Sequence, residues 1–170
     1  MGRLTVIKSV LAMMVCCGWI SISYALDLTT QEEAWLAAHP VIRVGIDPAW
    51  PPYEFVDKQG QYRGISADYM TLISHKLGIR LEVTKDKTWI EVKKQLEQKR
   101  LDISPSVAQT PQRREFLSFT QAYISFPVVI LTRVDEPFIG QLEDLQGQRV
   151  GVEDSYFADE ILQKNFSNIQ

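Results

Sequence analysis

The chain has 170 residues, 45% of them hydrophobic and 23% charged, with 18 Lys and Arg against 21 Asp and Glu for a net charge of −3. That is enough apolar material for one real core. The acidic balance leaves no basic stripe and argues against nucleic acid as a partner.

Residues 1–25 read as a signal peptide. Arg3 and Lys8 form a short positive start, residues 10–22 are an apolar run of signal length, and residues 23–25 make a small-x-small cleavage site. The run is short for a membrane span; the alternative is an uncleaved anchor. Val15 before Cys16 makes a poor lipoprotein site. Cleavage after Ala25 removes Arg3, Lys8, Cys16 and Cys17. The remaining 145 residues then carry 16 basic and 21 acidic side chains, a net charge of −5, and no thiol. A disulfide, a thiolate metal site and a thiol nucleophile are excluded. Export without cysteine fits a bacterial periplasm.

Thr29 and Thr30 each precede a Glu by three residues, the capping-box spacing, so a lead-in helix is expected to end near Ala38, with Pro40 stopping it. Residues 41–46 alternate and are β-branched, which predicts a strand. Residues 47–55 form a proline-stiffened loop, and residues 57–60 a turn between two extended pieces. Ala67, Met70, Ile73 and Leu77 mark a helical stripe over residues 65–77, ended by Gly78. A strand at 79–83 follows, then a helix marked by Trp89, Val92 and Leu96 with Thr88 as N-cap, and a third strand begins at 101–103. This β-α-β-α-β order predicts an α/β domain with a largely parallel sheet. Residues 126–132 read as a continuous apolar strand. A new unit then opens with a helix and turn at 142–147, a strand at 149–152 and a helix at 156–164.

Two clusters carry chemistry. In residues 110–123, Arg113 follows a Thr-Pro turn and can aim a planar fork at a carboxylate. Ser106 and Thr110 can add hydroxyls, and Thr110 sits where an N-cap would turn backbone N–H groups toward an anion. The competing reading is a solvated helix start in which Arg113 and Arg114 pair with Glu115. In residues 50–55, Trp50, Tyr53 and Phe55 are held by two prolines and can stack on an apolar part of a ligand or cover a cation. Phe55 is expected in the core and Trp50 at the ligand. Trp89 stands evenly between core and ligand contact. Together the clusters suggest one mouth for a small anionic or zwitterionic solute.

Catalysis is poorly supported. His39 and His75 are isolated, and no nucleophile elbow, HExxH, P-loop or dinucleotide fingerprint occurs. Asp47 and Glu54 could form an acid–base pair, but Asp47 fits better as a cap on its own loop. No metal site, cofactor or catalytic residue is expected.

The segments IRVGIDPAWPPYEF, GQYRGISADYMTLISHKLGI, TWIEVKKQLEQKRLDI, TPQRREFLSFTQAY and LEDLQGQRVGV, in this order, resemble the bacterial extracellular solute-binding proteins of family 3. The resemblance implies a periplasmic binding protein-like type II fold, a two-lobed Venus flytrap that closes by hinge motion. It would place the first lobe at residues 41–126, a hinge strand at 127–134, and the start of a second, truncated lobe at 135–170. By the same resemblance, Arg113 matches the arginine that grips a ligand α-carboxylate, Trp50 and Tyr53 the aromatic wall, and Ser106 and Thr110 the pocket lining. Ala108, where amino-acid binders often carry a polar group, and GVEDSYF, where many members have a Gly-Ser/Thr-Thr turn, depart from the pattern. The lead-in LTTQEEAWLAAHP looks like the start of the periplasmic flytraps in BvgS/EvgS-type hybrid sensor kinases, with Trp35 and Leu36 stapling it to the first lobe.

The implied function is periplasmic binding of an amino-acid-like or carboxylate solute, without chemistry on it. The membrane partner would be the transmembrane region of a sensor kinase or, alternatively, the permease of an ABC transporter; a regulatory domain of a lytic enzyme is a third possibility.

Overall fold

Thr29 starts the first helix, α1 (Thr30–Ala38), through a complete capping box: its hydroxyl accepts the Glu32 N–H at 3.3 Å and the Glu32 carboxylate accepts the Thr29 N–H at 2.8 Å. The structure, a computed structural model, describes residues 26–166 and 168–169; the expected signal segment at 1–25 lies outside the described residues. Leu36 packs on the core, as a staple would. Trp35 does not: it is 52% exposed and stacks on His39 at a ring separation of 4.3 Å.

Strand β1 (Val41–Gly45) pairs in parallel with a later strand, Arg80–Thr84, with Val41 opposite Arg80 and Gly45 opposite Thr84. The crossover helix between them, Ile65–Leu77, begins after Gly64 and ends at Gly78, whose φ of 65° gives the left-handed cap that glycine adopts freely. Ala67 and Met70 face inward as expected, whereas Ile73 is exposed. Ile42, Val44, Ile46, Met70 and Ile79 form one core cluster.

A second cluster, Trp89, Val92, Leu96 and Leu101, is built on the helix Trp89–Glu97, which Thr88 and Glu91 start with another capping box. Gly45 is the point of closest approach, since a Cβ there would meet Leu101 and Val92 at 2.6 Å. The expected third strand at 101–103 is reduced to a single parallel bridge, Val44 with Ile103.

The aromatic loop is more ordered than its prolines suggest. Ala49–Trp50 (β2), Glu54–Val56 (β3) and Tyr62–Arg63 (β4) form a small antiparallel sheet. In chain order the crossover helix is thus α2, Arg80–Thr84 is β5 and Trp89–Glu97 is α3. Asp57 makes the expected turn by accepting the N–H groups of Gln59 and Gln61. The residue of this loop that is fully buried is Glu54; Phe55, expected in the core, is half-buried.

Beyond residue 103 the structure corrects two strands. Neither residues 126–132 nor 149–152 form one, and Val128, Val129 and Leu131 are exposed. A run of β-formers makes a ladder only beside a partner strand, and none pairs with these segments among the described residues. Residues Leu142–Leu145 make a 3-10 turn, and Phe157–Asn165 forms the last helix, α4. No helix among the described residues is long and apolar enough to cross a membrane.

Candidate functional site

Arg113 is buried, 3% exposed, on a 3-10 turn spanning Arg113–Glu115. That turn is too short to offer the N-terminal anion site expected of a helix capped by Thr110. Instead the Thr110 hydroxyl accepts the Arg113 N–H at 3.2 Å and donates to Glu160 Oε2 at 2.9 Å. The guanidinium is almost fully used. Its Nε and Nη2 each donate to Glu160 Oε1 at 3.1 Å, its Nη1 to the Ala108 carbonyl at 3.2 Å, and its Nη2 also to the Ser155 carbonyl at 3.3 Å. Arg113 is therefore not part of a solvated helix start, although Arg114 and Glu115 beside it are exposed. Ala108, which departs from the family pattern in lacking a polar side chain, contributes its backbone oxygen to Arg113.

Trp89 lies under this group, with the guanidinium carbon 5.3 Å from its ring centre, and its indole N–H donates to the Ser155 carbonyl at 3.2 Å. Ser155 carries a φ of 64°, which turns that carbonyl toward both donors. Lys93 Nζ reaches Glu160 Oε1 at 3.3 Å. Burial pushes the Glu160 carboxyl up, but the bonds and charge of Arg113, with Thr110 and Lys93, outweigh it and hold the group below the ordinary carboxylate range.

Beside this cluster lie two buried acids. Asp47 Oδ1 accepts the Ala49 N–H at 2.9 Å, the loop cap expected of it, and Asp47 Oδ2 accepts the Tyr156 hydroxyl. Glu54 accepts the Asp47 N–H at 3.0 Å and the Tyr62 hydroxyl at 3.2 Å. Burial raises Glu54 to about 7 against these bonds, and burial likewise raises the Tyr62 and Tyr156 hydroxyls. Both acids tie loop to sheet.

The other candidates line an adjoining cavity of about 880 Å³, walled by Trp50, Tyr53, Ser106, Phe116, Tyr123 and Phe126 and bordered by Ala108, whose carbonyl accepts from Arg113. Trp50 and Tyr53 pack on Phe126 at 5.3 and 4.4 Å between ring centres. Ser106 and Tyr123 both hydrogen-bond the buried Ser66 hydroxyl. The structure therefore divides the six candidates: Arg113, Thr110 and Trp89 form a polar cluster, while Trp50, Tyr53 and Ser106 form an aromatic wall.

Residues 42–167 match the family model of the bacterial extracellular solute-binding proteins, family 3. The chain belongs to that family. The virulence sensor protein BvgS of Bordetella pertussis is 27% identical over 138 residues, which is 81% of this chain and 11% of BvgS. A probable amino-acid ABC transporter-binding protein of Haemophilus influenzae is 31% identical over 107 residues, 62% of this chain and 41% of that protein. The crystal structure of the B. pertussis BvgS periplasmic domain superposes with a TM-score of 0.73 at 26% identity, covering 89% of this chain and 30% of that one. The fold is thus the mixed α/β type II periplasmic-binding-protein fold of Venus flytrap domains, and this solute-binding domain resembles both sensor domains and amino-acid binders. The chain spans about a tenth of the BvgS sequence it matches.

Two residues of this family member's polar cluster escaped sequence reasoning: Glu160 and Lys93. Lys93 and Glu160 lie on helices whose positions were predictable, but no local spacing links Arg113 to a carboxylate 47 residues away.

Proposed function

We propose that this domain binds a small polar solute carrying a carboxylate, amino-acid-like in character, in the periplasm, and that Arg113 and Thr110 grip the carboxylate while Trp50, Tyr53 and Phe126 wall its apolar part. The lobes would be residues 41–126 and 135–170, joined by a hinge at 127–134, with solute biasing their open–closed equilibrium. No chemistry is done on the solute. The membrane partner is the transmembrane region of a sensor kinase whose input domain this is, a reading supported by the likeness to BvgS.

One observation carries the proposal: a buried guanidinium and a buried hydroxyl converge on a single carboxylate, that of Glu160. Such a cluster is built to hold that functional group. Calorimetric titration of the chain and of Arg113→Ala with a panel of L-amino acids tests it. Removing the charged partner costs about 2–5 kcal/mol, so affinity for any bound amino acid falls roughly 30-fold or more; unchanged binding overturns the role of Arg113.

A second reading, a free substrate-binding protein of an ABC transporter, draws on the H. influenzae relative. Cross-linking in intact cells separates the two by whether a kinase or a permease is captured.

A further inference from the structure

Glu160 is not needed by its own helix. Tyr156, the N-cap of α4, makes no side-chain cap bond, and it is Asp159 that ties the helix to the preceding turn, its carboxylate accepting the Ser155 N–H at 3.1 Å. The Glu160 side chain instead reaches back to the first lobe and takes donors from three residues there: Arg113 twice at 3.1 Å, Thr110 at 2.9 Å and Lys93 at 3.3 Å. Its side chain is 8% exposed and that of Arg113 4%. These are the same Arg113 and Thr110 that would grip a solute carboxylate, and their side-chain donors toward it are taken.

We infer that Glu160 is a built-in carboxylate ligand of the Arg113 site, which a carboxylate solute must displace in order to bind, so that occupancy is coupled to release of α4. The inference rests on Arg113 being the carboxylate-binding arginine, as proposed above. Two carboxylates cannot share these donors, because like charges at contact distance repel and the fork has one face. The exchange is also selective. A solute that brings its own carboxylate leaves Arg113 paired after Glu160 departs, whereas a neutral or cationic solute would leave a buried guanidinium unpaired. Glu160 therefore filters for anionic groups and at the same time docks α4 onto the first lobe in the absence of solute. Its neighbours favour the charged state at neutral pH, since Arg113 and Lys93 both face it.

Acetate, the minimal carboxylate, is the probe. The chain, Glu160→Ala, Glu160→Gln and the double variant Glu160→Ala/Arg113→Ala are titrated with sodium acetate, with sodium chloride matched for ionic strength. The Arg113 Nε–H and Trp89 indole N–H resonances are followed by NMR. Glu160→Ala is expected to bind acetate at least tenfold more tightly than the unaltered chain, with recovery of the bonded Arg113 Nε–H signal, and the double variant is expected to lose this binding. Glu160→Gln, which keeps the side-chain shape, carries the same titration should the alanine variant fail to fold, again with tighter acetate binding than the unaltered chain. Equal, Arg113-dependent affinity in the unaltered chain and the Glu160 variants overturns the inference and leaves the carboxylate grip of Arg113 standing. Absence of acetate binding in folded Glu160 variants overturns both.

Discussion

Trp89 and Arg113 are stacked: the guanidinium carbon lies 5.3 Å above the ring of a tryptophan that is itself 7% exposed and packed with Val92, Leu96 and Leu101. One side chain thus serves as core on one face and as the floor of the polar cluster on the other. The sequence leaves Trp89 evenly between core and ligand contact; the structure places it in the core, beneath the Arg113 guanidinium.

Substitutions at Trp89 should separate the two roles. Trp89→Ala removes a large buried ring and is expected to cost about 3–5 kcal/mol. Trp89→Phe keeps most of the packing but loses the indole bond to the Ser155 carbonyl and weakens the stacking on Arg113, for about 1 kcal/mol. Urea unfolding measures both. An alanine variant as stable as the parent would place Trp89 outside the core.

Glu54 should make stability pH-dependent. Burial lifts its carboxyl from the usual 4.5 to about 7, against hydrogen bonds from the Asp47 N–H and the Tyr62 hydroxyl and with Asp47 as the nearby charge. The folded chain then keeps a proton that the unfolded chain has released. The resulting stabilisation is fully present below about pH 4.5 and is lost as pH rises toward 7. At 1.36 kcal/mol per pKa unit the loss is about 3 kcal/mol. Relative to Glu54→Gln, the parent should weaken between pH 5 and 7.5 in denaturant titrations; parallel curves for the two proteins would refute the buried, protonated Glu54.

Gly64 holds a hinge of the aromatic loop. Its φ is 110°, and a Cβ would run into the Tyr53 carbonyl. The carbonyls of Tyr53 and Pro52 accept the first N–H groups of α2, from Ser66 at 2.9 Å and Ile65 at 3.1 Å. Gly64→Ala should therefore cost more than about 2 kcal/mol through backbone strain and shift the loop that carries Trp50 and Tyr53. Thermal unfolding reads the first effect and the Trp50 indole resonance the second. A melting temperature equal to the parent's would contradict the close approach.

Trp50 lies in the aromatic wall and is only half-buried. Trp50→Ala should reduce stability by about 1–1.5 kcal/mol, the scale of its ring pairing with Tyr53 and Phe126, while weakening binding of any amino acid found to bind the parent. Calorimetry on the folded variant checks the second part. Unfolding of Trp50→Ala at room temperature would instead show the ring to be structural.

Most of the first half of the fold is readable residue by residue. Thr29 with Glu32, Thr88 with Glu91, and Gly78 mark helix ends through bonds that span only a few residues. The Asp57 turn is equally local. The alternation at 41–46 identifies β1 because one face of that strand must be buried. The errors fall where burial depends on what lies opposite. Phe55 is the natural core candidate on its loop, yet Glu54 is the residue sealed in, because the Asp47 N–H and Tyr62 hydroxyl supply it with partners.

By itself the sequence determined the helices, the turns, the parallel β-α-β start and the identity of Arg113 as the residue to watch, since caps, periodicity and planar charge are local properties. The tertiary structure alone decided that residues 126–132 stay unpaired, that Trp50 and Trp89 part company, and that Arg113 meets Glu160. Each of these turns on which distant surfaces pack together, and a carboxylate 47 residues away becomes a partner only when α4 docks.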